Sequence, residues 1–274
     1  MTADAARFTV VGCGTVVPEA DRSCSAYLLE TSGIRLLLDC GPGTVRSLAR
    51  VGADWSGITD VWISHFHTDH IGDLPGLLFA LTYGLLPEVR TAPLTIWGPS
   101  GTRAMMDGFA AATGPQMLDP GFPVTVREVE PDADLELAPG LRLRTLDTPH
   151  TEESLALRLD ASGGAANGAD ASGGAGFTLA YTGDSGPAVD LGGFARGCDL
   201  FVCECSLPDH LVGDNHLSPS AVADFARLAS PGVLLLTHVY PQFRAVADVA
   251  ALVASAGYGG RVEMAAEGWT RTLS

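Results

Sequence analysis

Short apolar runs separated by polar turns recur along most of the chain, and their spacing predicts a protein built on β-sheets. Runs of about 4 to 8 apolar, β-prone residues are typical of strands. The first three runs, at 8–12, 26–29 and 35–39, are separated by turn residues and predict an antiparallel meander. Later runs predict strands at 59–64 and 94–97, a second sheet that includes 124–129, 141–146, 154–160 and 177–182, and further strands at 200–203, at 233–236 and from 261.

Helical patterns follow several of these strands. The pattern predicts helices at 44–51, 71–84, 102–112, 218–229 and 243–256. Apolar strands that alternate with helices are typical of sheets whose outer faces are covered. We therefore expect an α/β (α+β) fold, with residues 1–274 in a single domain.

One segment has the composition of a linker. Residues 161–176 consist of Gly, Ala and Ser with one Asn and one Asp. Such a composition predicts a flexible loop, which has no side chain that could bind a substrate through charge or stacking.

Composition and hydropathy indicate a globular protein without membrane-spanning helices. The chain is 46% hydrophobic with a mean hydropathy of +0.22, which predicts a well-filled core. No apolar run reaches the length of about 18 residues that a membrane helix needs, so we expect no membrane partner. The first residues lack a basic segment followed by an apolar one, which predicts the absence of a signal peptide and a cytoplasmic location.

The charge of the chain argues against nucleic acid as a binding partner, and its cysteine spacing argues against disulfides. The chain has no lysine, and its 16 arginines stand against 32 acidic residues, for a formal net charge of −16. This excess repels long polyanions, whereas nucleic-acid-binding proteins usually carry a basic patch. Six cysteines occur without a C-x-x-C pair, so we expect reduced, mostly buried thiols; Cys203 and Cys205 are not predicted as ligands.

The most informative motif lies between a predicted strand and a predicted helix. Residues 64–70 read Ser-His-Phe-His-Thr-Asp-His and offer His65, His67, Asp69 and His70 within six positions. Imidazole and carboxylate groups are ligands that suit zinc and related divalent metals. A strand-to-helix turn lies at the carboxyl end of a strand, where open α/β folds bind ligands, so we expect a metal-binding loop that can serve two ions.

Three later residues can complete a two-metal site. His150, Asp184 and His238 each follow a β-prone run. All three would then reach the same sheet edge as the loop.

The H-x-H-x-D-H motif resembles that of the metallo-β-lactamase fold superfamily. The resemblance implies a four-layer αββα sandwich with two divalent metal ions, of which Zn²⁺ is the first choice and Mn²⁺ or Fe the alternatives. It implies that His65, His67 and His150 hold one ion, that Asp69, His70 and His238 hold the other, and that Asp184 bridges them. Two cations about 3.5 to 4 Å apart can share a hydroxide and activate it for hydrolysis.

Other segments narrow the resemblance to the ribonuclease Z-like branch. They are residues 38–44, 70–78, 93–99, 199–206 and 216–218. This likeness implies a homodimer and a catalytic group of Asp69, Glu204 and His216. Glu204 would orient His216, which could donate a proton to the leaving group. Alternatively, His216 caps the helix that begins near Ser218; His210 is predicted to be a surface residue.

The chain also departs from ribonuclease Z. It has no long basic insertion comparable to the arm that holds transfer RNA, and its P-x-K-x-R-N-like element keeps Pro18 and Arg22 but loses the lysine and asparagine. These departures argue against transfer RNA as the substrate.

The resulting prediction is a binuclear metal-dependent hydrolase of ribonuclease Z-like type. We expect a phosphodiesterase that uses a metal-bridging hydroxide on a small phosphodiester, such as a cyclic nucleotide, or on RNA. One alternative is hydrolysis of a carboxylic ester, thioester or lactone; another is a non-catalytic binding protein that retains the fold.

Overall fold

A computed structural model describes residues 6–31, 33–162 and 176–274. Within these ranges the strands form two seven-stranded sheets. The predicted flexible loop at 161–176 lies outside the described residues except at its two ends.

The first sheet is antiparallel at one side and parallel at the other. Its strands are β1 (Ala6–Gly12), β2 (Ala26–Glu30), β3 (Arg35–Leu38), β4 (Asp60–Trp62), β5 (Leu94–Pro99), β6 (Val124–Val129) and β14 (Thr270–Leu273), in the order β14-β1-β2-β3-β4-β5-β6. The antiparallel pairs β1–β2 and β2–β3 confirm the predicted meander. From β3 to β6 the strands run parallel.

The second sheet mirrors this arrangement. Its strands are β7 (Asp134–Ala138), β8 (Leu141–Asp147), β9 (Leu155–Ala161), β10 (Phe177–Tyr181), β11 (Leu200–Glu204), β12 (Val233–Thr237) and β13 (Val262–Met264), in the order β13-β12-β11-β10-β9-β8-β7. The pairs among β7, β8, β9 and β10 are antiparallel, and β10 to β13 run parallel.

Two strand assignments from the sequence were wrong. The strand at 124–129 was expected in the second sheet but pairs in parallel with β5 in the first, because the helix at 102–113 returns the chain to the same sheet edge. The tail from 261 forms two strands in different sheets, since Gly268 at φ 83° allows a turn between them. Strand β7 was not predicted.

Helices cover the outer face of each sheet. They are α1 (Thr44–Arg50), α2 (Thr68–Ile71), α3 (Leu74–Tyr83), α4 (Thr102–Thr113), α5 (Leu191–Phe194), α6 (Pro219–Ala229), α7 (Pro241–Arg244) and α8 (Val249–Ser255). The helix predicted at 71–84 is α3, which begins only at Leu74, where Pro75 occupies the first turn; Ile71 instead ends the separate turn of α2. The helix predicted at 243–256 is also divided, at Asp248, whose side chain caps α8. Among the described residues, none of these helices has the length and apolarity needed to cross a bilayer.

Alternation of side chains along the strands creates three apolar layers. In β3, Leu36 and Leu38 enter the core between the sheets, whereas Leu37 packs in the cluster beneath α1 and α3. In the second sheet, Val202 faces the inner core and Leu234 packs in the cluster that includes α6 and α8. The order of layers is helix, sheet, sheet, helix, which confirms the predicted αββα sandwich.

Candidate metal centre

The loop after β4 places its four candidate ligands on one side. His65 is fully buried, and His67 is the extended residue that precedes α2. Asp69 and His70 lie in the single turn of α2 and are buried. An extended segment followed at once by a helical turn therefore brings all four side chains to the carboxyl edge of the sheet.

The three later candidates arrive from the second sheet. His150 Nε2 lies 3.0 Å from His67 Nδ1, and His238 Nε2 lies 3.4 Å from Asp69 Oδ2. The carboxylate of Asp184 lies between these pairs, with Oδ2 at 3.7 Å from His150 Nε2 and 3.5 Å from His238 Nε2.

All seven predicted ligands are thus brought together. Three sets of them have ligand atoms within 4.8 Å of one another: His65, His67 and His150; His65, His70 and Asp184; and Asp69, His70 and His238. Two of these sets are the ones that the resemblance assigns to separate ions. The ligand roles themselves stay a prediction.

Hydrogen bonds fix the orientation of the imidazole rings. The Nδ1 atoms of four histidines have partners: His65 with Ser64 Oγ at 3.0 Å, His70 with Asp39 Oδ2 at 2.7 Å, His150 with the Asn215 carbonyl at 2.7 Å, and His238 with Ser206 Oγ at 3.0 Å. Each of these rings therefore directs Nε2 towards the cluster. Partners of this kind are typical of metal-binding histidines.

Sequence reasoning missed the role of Asp39. This carboxylate is fully buried and accepts hydrogen bonds from His70, from the backbone and hydroxyl of Ser64 at 2.8 Å each, and from the Tyr181 hydroxyl at 2.6 Å. Its backbone is left-handed, with φ at 56°, which turns the chain directly after β3. The segment 38–44 was noticed for its resemblance, yet only the paired strands reveal which groups Asp39 supports.

The donor set fits a divalent metal ion. Among the described residues, the buried atoms His65 Nε2, His70 Nε2 and Asp184 Oδ1 have no hydrogen-bond partner. Buried polar atoms without partners are rare because each costs about 1 to 3 kcal/mol. Since these nitrogen and oxygen atoms point towards one another, a cation would satisfy all of them.

The protonation states also suit metal binding. Burial lowers the pKa of His65 and of His150, which keeps both rings neutral. Burial would raise the pKa of Asp184, but its electrostatic interactions with His238 and His70 outweigh burial and hold that pKa well below its usual range. Burial likewise disfavours charge on His70, whereas the carboxylates of Asp184 and Asp39 raise its pKa. Neutral His65 and His150 beside an ionised Asp184 are in the forms that bind metals, and on His70 a bound cation would take the place of the proton that the carboxylates favour.

A second pair of residues lies beside this cluster. His216 Nδ1 is 3.1 and 3.2 Å from the two oxygens of Glu204, and its ring centre is 4.8 Å from that of His150. Glu204 is fully buried and also accepts from the backbone of Ser185 at 2.7 Å and of Leu217 at 3.2 Å. Burial lowers the pKa of His216, but Glu204 outweighs it and raises that pKa to about 9.

The helix-capping alternative for His216 has less support. Ser218 is the N-cap of α6, and the Glu204 carboxylate accepts the nearby backbone N–H of Leu217. The ring of His216 therefore lies against Glu204 and faces the cluster. His210 is exposed, while Cys203 and Cys205 are buried free thiols.

Comparison with known families identifies the superfamily to which this fold and this cluster of histidines and aspartates belong. The model of the beta-lactamase superfamily domain matches residues 34–239. A ribonuclease Z of Haloferax volcanii is 37% identical over 153 residues, which cover 56% of this chain and 46% of that protein. The chain therefore spans about half the length of the first curated relatives that it matches. A ribonuclease Z of Mycobacterium marinum is 26% identical over 278 residues and covers 93% of this chain and 94% of its own.

A solved structure agrees with the fold. The metallo-beta-lactamase fold protein YhfI from Bacillus subtilis superposes with a TM-score of 0.77 at 26% identity. The match covers 98% of this chain and 99% of that one. The two-sheet sandwich is thus shared over nearly the whole chain.

Proposed function

Since the chain belongs to the beta-lactamase superfamily, we propose that it is a binuclear metal-dependent phosphodiesterase of ribonuclease Z-like type. This proposal rests mainly on one observation. Seven histidine and aspartate side chains converge, and three of their buried nitrogen and oxygen atoms have no hydrogen-bond partner among the described residues. The relatives named ribonuclease Z support phosphodiester chemistry.

The ligand assignment follows the two sets described above. His65, His67 and His150 would hold one ion, and Asp69, His70 and His238 the other. Asp184 lies between the sets and would contact both ions. When bound, two such ions supply positive charge that polarises a phosphoryl oxygen and lowers the pKa of a water molecule. Zinc is proposed first because the site is rich in histidine, and manganese or iron would also accept this mixed set.

The chain itself supplies the proton. His216 is held against Glu204 beside the cluster, and the carboxylate favours the protonated ring. Protonated His216 can donate from Nε2 to the leaving oxygen of the diester, while Glu204 retains the orientation of the ring. A thiolate is a much weaker base than an alkoxide and needs less help from an acid, so this pair favours phosphodiesters over thioesters.

Charge favours a small substrate over transfer RNA. The formal net charge of −16 opposes the approach of a long polyanion. A small phosphodiester carries one or two charges and meets far less repulsion.

The test is hydrolysis of bis(p-nitrophenyl) phosphate by protein loaded with Zn²⁺ or Mn²⁺. We expect about two ions per chain by elemental analysis and turnover that falls at least 100-fold in Asp69→Ala. The same assays with p-nitrophenyl acetate and with a transfer RNA precursor separate the other substrate classes. Metal binding without turnover of any substrate would favour a binding protein, and turnover that survives in Asp69→Ala would refute the assigned site.

A further inference from the structure

A cavity opens beside the candidate metal centre. It has a volume of about 440 Å³, and its walls are the segments 16–24 and 42–43 and one side of α1, from Arg46 to Arg50. Thr68 and Asp69 line it as well, so the cavity is continuous with the loop that carries the candidate ligands. The volume lies within the range of about 300 to 1,000 Å³ that is typical of small-molecule sites.

Three arginines line this cavity, but two of them are engaged by the protein. Arg22 donates to the Ala265 carbonyl at 3.1 Å and to Cys13 Sγ at 2.9 Å. Arg50 is paired with Glu267. Arg46 is exposed and makes no ion pair or hydrogen bond through its side chain with any residue that the structure describes. Its guanidinium is therefore available to a ligand.

Two of the three carboxylates that line the cavity have other partners. Glu19 is paired with Arg244, and Asp69 belongs to the candidate metal centre. Asp21 is exposed and forms no ion pair with Arg46. A chain with half as many cationic as acidic residues thus places an unpaired arginine next to its candidate active site.

The lining indicates what kind of group the cavity binds. Its apolar members are Val16, Val17, Pro18, Ala20 and Pro42, and none of the described residues that line it is aromatic. Stacking of a nucleobase normally uses aromatic rings, so recognition here would depend on charge. A guanidinium pairs with phosphate or carboxylate through two parallel hydrogen bonds.

The other flank of the metal loop has the opposite charge. A cavity of about 420 Å³ includes Phe66, between His65 and His67 in the loop. Four carboxylates line this cavity, those of Glu130, Asp147, Glu152 and Glu153. A polyanion that crossed the site would meet these charges, whereas a small ligand confined to the Arg46 side would not.

We propose that the Arg46 cavity binds a second anionic group, phosphate or carboxylate, of a small phosphodiester substrate. Arg46 is then a specificity-determining residue. The substrate would carry one anionic group at the metal centre and another in the cavity, without extending across the acidic flank. This inference rests on the proposed phosphodiesterase function and names its substrate class.

Two chromogenic substrates that differ by one phosphate test this. They are thymidine 5′-(p-nitrophenyl phosphate) with and without a 3′-phosphate. For metal-loaded wild-type protein we expect a KM at least 10-fold lower when the 3′-phosphate is present. Arg46→Gln should abolish this preference and leave the KM of the unphosphorylated substrate unchanged. Asp21→Asn, which removes a negative charge from the cavity, should strengthen the preference.

Two controls and a binding assay separate the proposed anion-binding cavity from the proposed phosphodiesterase function. Arg103→Gln changes another exposed arginine, one that does not line the cavity, and should behave as wild type. A p-nitrophenyl phosphodiester of 3-hydroxypropanoate replaces the second phosphate with a carboxylate and distinguishes the two anions. Binding of thymidine 3′,5′-bisphosphate by calorimetry should weaken at least 10-fold in Arg46→Gln, whether or not any diester is hydrolysed.

The outcomes are distinct. Equal KM values for both substrates, with bisphosphate binding unaffected by Arg46→Gln, would overturn the cavity inference and leave the phosphodiesterase intact. Weaker bisphosphate binding in Arg46→Gln without turnover of either substrate would overturn the proposed function and leave the anion site.

Discussion

At the scale of single residues, the support behind the candidate ligands matters as much as the ligands. Asp39 receives four hydrogen bonds in a fully buried position, one of them from His70. Its carboxylate raises the pKa of that ring and fixes which nitrogen faces the cluster. Loss of such a partner typically lowers metal affinity about 10- to 100-fold.

We therefore expect Asp39→Asn to weaken zinc binding about 10- to 100-fold. The amide keeps the size of the side chain but loses the charge and can accept fewer hydrogen bonds. Competition with a chromogenic chelator measures the affinity. Asp54→Asn, which alters an exposed carboxylate, is the control and should bind zinc as wild type does. Unchanged affinity in a folded Asp39→Asn protein would show that His70 does not depend on this contact.

A second prediction concerns the pH dependence of turnover. Only the imidazolium form of His216 can protonate the leaving group, so activity should fall as the pH rises through the pKa of His216. Glu204 raises that pKa, and Glu204→Gln removes the negative charge. With a diester whose leaving group is an alkoxide, such as a cyclic nucleotide, the alkaline limb of the kcat profile should therefore move to lower pH by at least one unit in Glu204→Gln, and it should be absent in His216→Asn. An alkaline limb at the same pH in wild type and Glu204→Gln would assign it to another group.

Candidate ligands could be predicted from the sequence where they are closely spaced along the chain. His65, His67, Asp69 and His70 are recognisable because four ligands occur within six positions. Asp39 is one of 32 acidic residues and follows a strand as many others do. Its role depends on Tyr181, 142 positions away, and that contact exists only after the two sheets have packed.

At the scale of elements, the site depends on close approach between the segment after β3 and the turn of α2. A Cβ atom on Gly41 would lie 1.9 Å from the Asp69 carbonyl oxygen and 2.7 Å from Cys24 Cβ. The Cys40 backbone N–H also donates to the His70 carbonyl at 2.7 Å. Glycine at position 41 thus lets α2 pack against the end of β3.

Gly41→Ala should lower the free energy of unfolding by about 1 to 3 kcal/mol, because the added methyl group overpacks a backbone contact. Zinc affinity should also fall, since α2 carries Asp69 and His70. Gly108→Ala in α4 is the matched control: its Cβ would meet nothing within 4 Å, and alanine should stabilise the helix by about 0.5 to 1 kcal/mol. Urea denaturation measures both. Equal stability of the two variants would show that α2 can shift without cost.

Strands could be predicted from the sequence where the hydrophobic pattern alone determines their position. Hydrophobic alternation identified most strands, and the predicted meander is present. Pattern could not assign β6 to a sheet, because its residues alternate in the same way in either one. Strand β7 was missed because it is a partly exposed edge strand whose sequence, Asp-Leu-Glu-Leu-Ala, contains two acidic residues.

At the scale of the whole molecule, the two sheets share one core and one candidate site. Buried hydrogen bonds cross between the two sheets: one joins the hydroxyls of Tyr27 and Thr237 at 2.6 Å, and in the other the Tyr181 hydroxyl donates to Asp39 at 2.6 Å. The first sheet contributes the loop at 65–70, and the second contributes His150, Asp184 and His238. The expectations of a single domain, a homodimer and a cytoplasmic location stay predictions.

Metal binding should stabilise both sheets together, because the proposed ions contact ligands from each. A ligand that binds only the native state adds about 2.7 kcal/mol per site at a free concentration 100 times its Kd. We expect one unfolding transition that moves to higher urea when Zn²⁺ replaces a chelator, and no such shift in Asp184→Asn. Trp62 and Trp97 lie in the first sheet, so the fluorescence of a protein with Trp55→Phe and Trp269→Phe reports on that sheet, and amide hydrogen exchange in β11 and β12 reports on the second. Both signals should move to the same extent. If zinc shifted the fluorescence transition alone, the sheets would unfold separately and the ligands from the second sheet would not share the metals of the first.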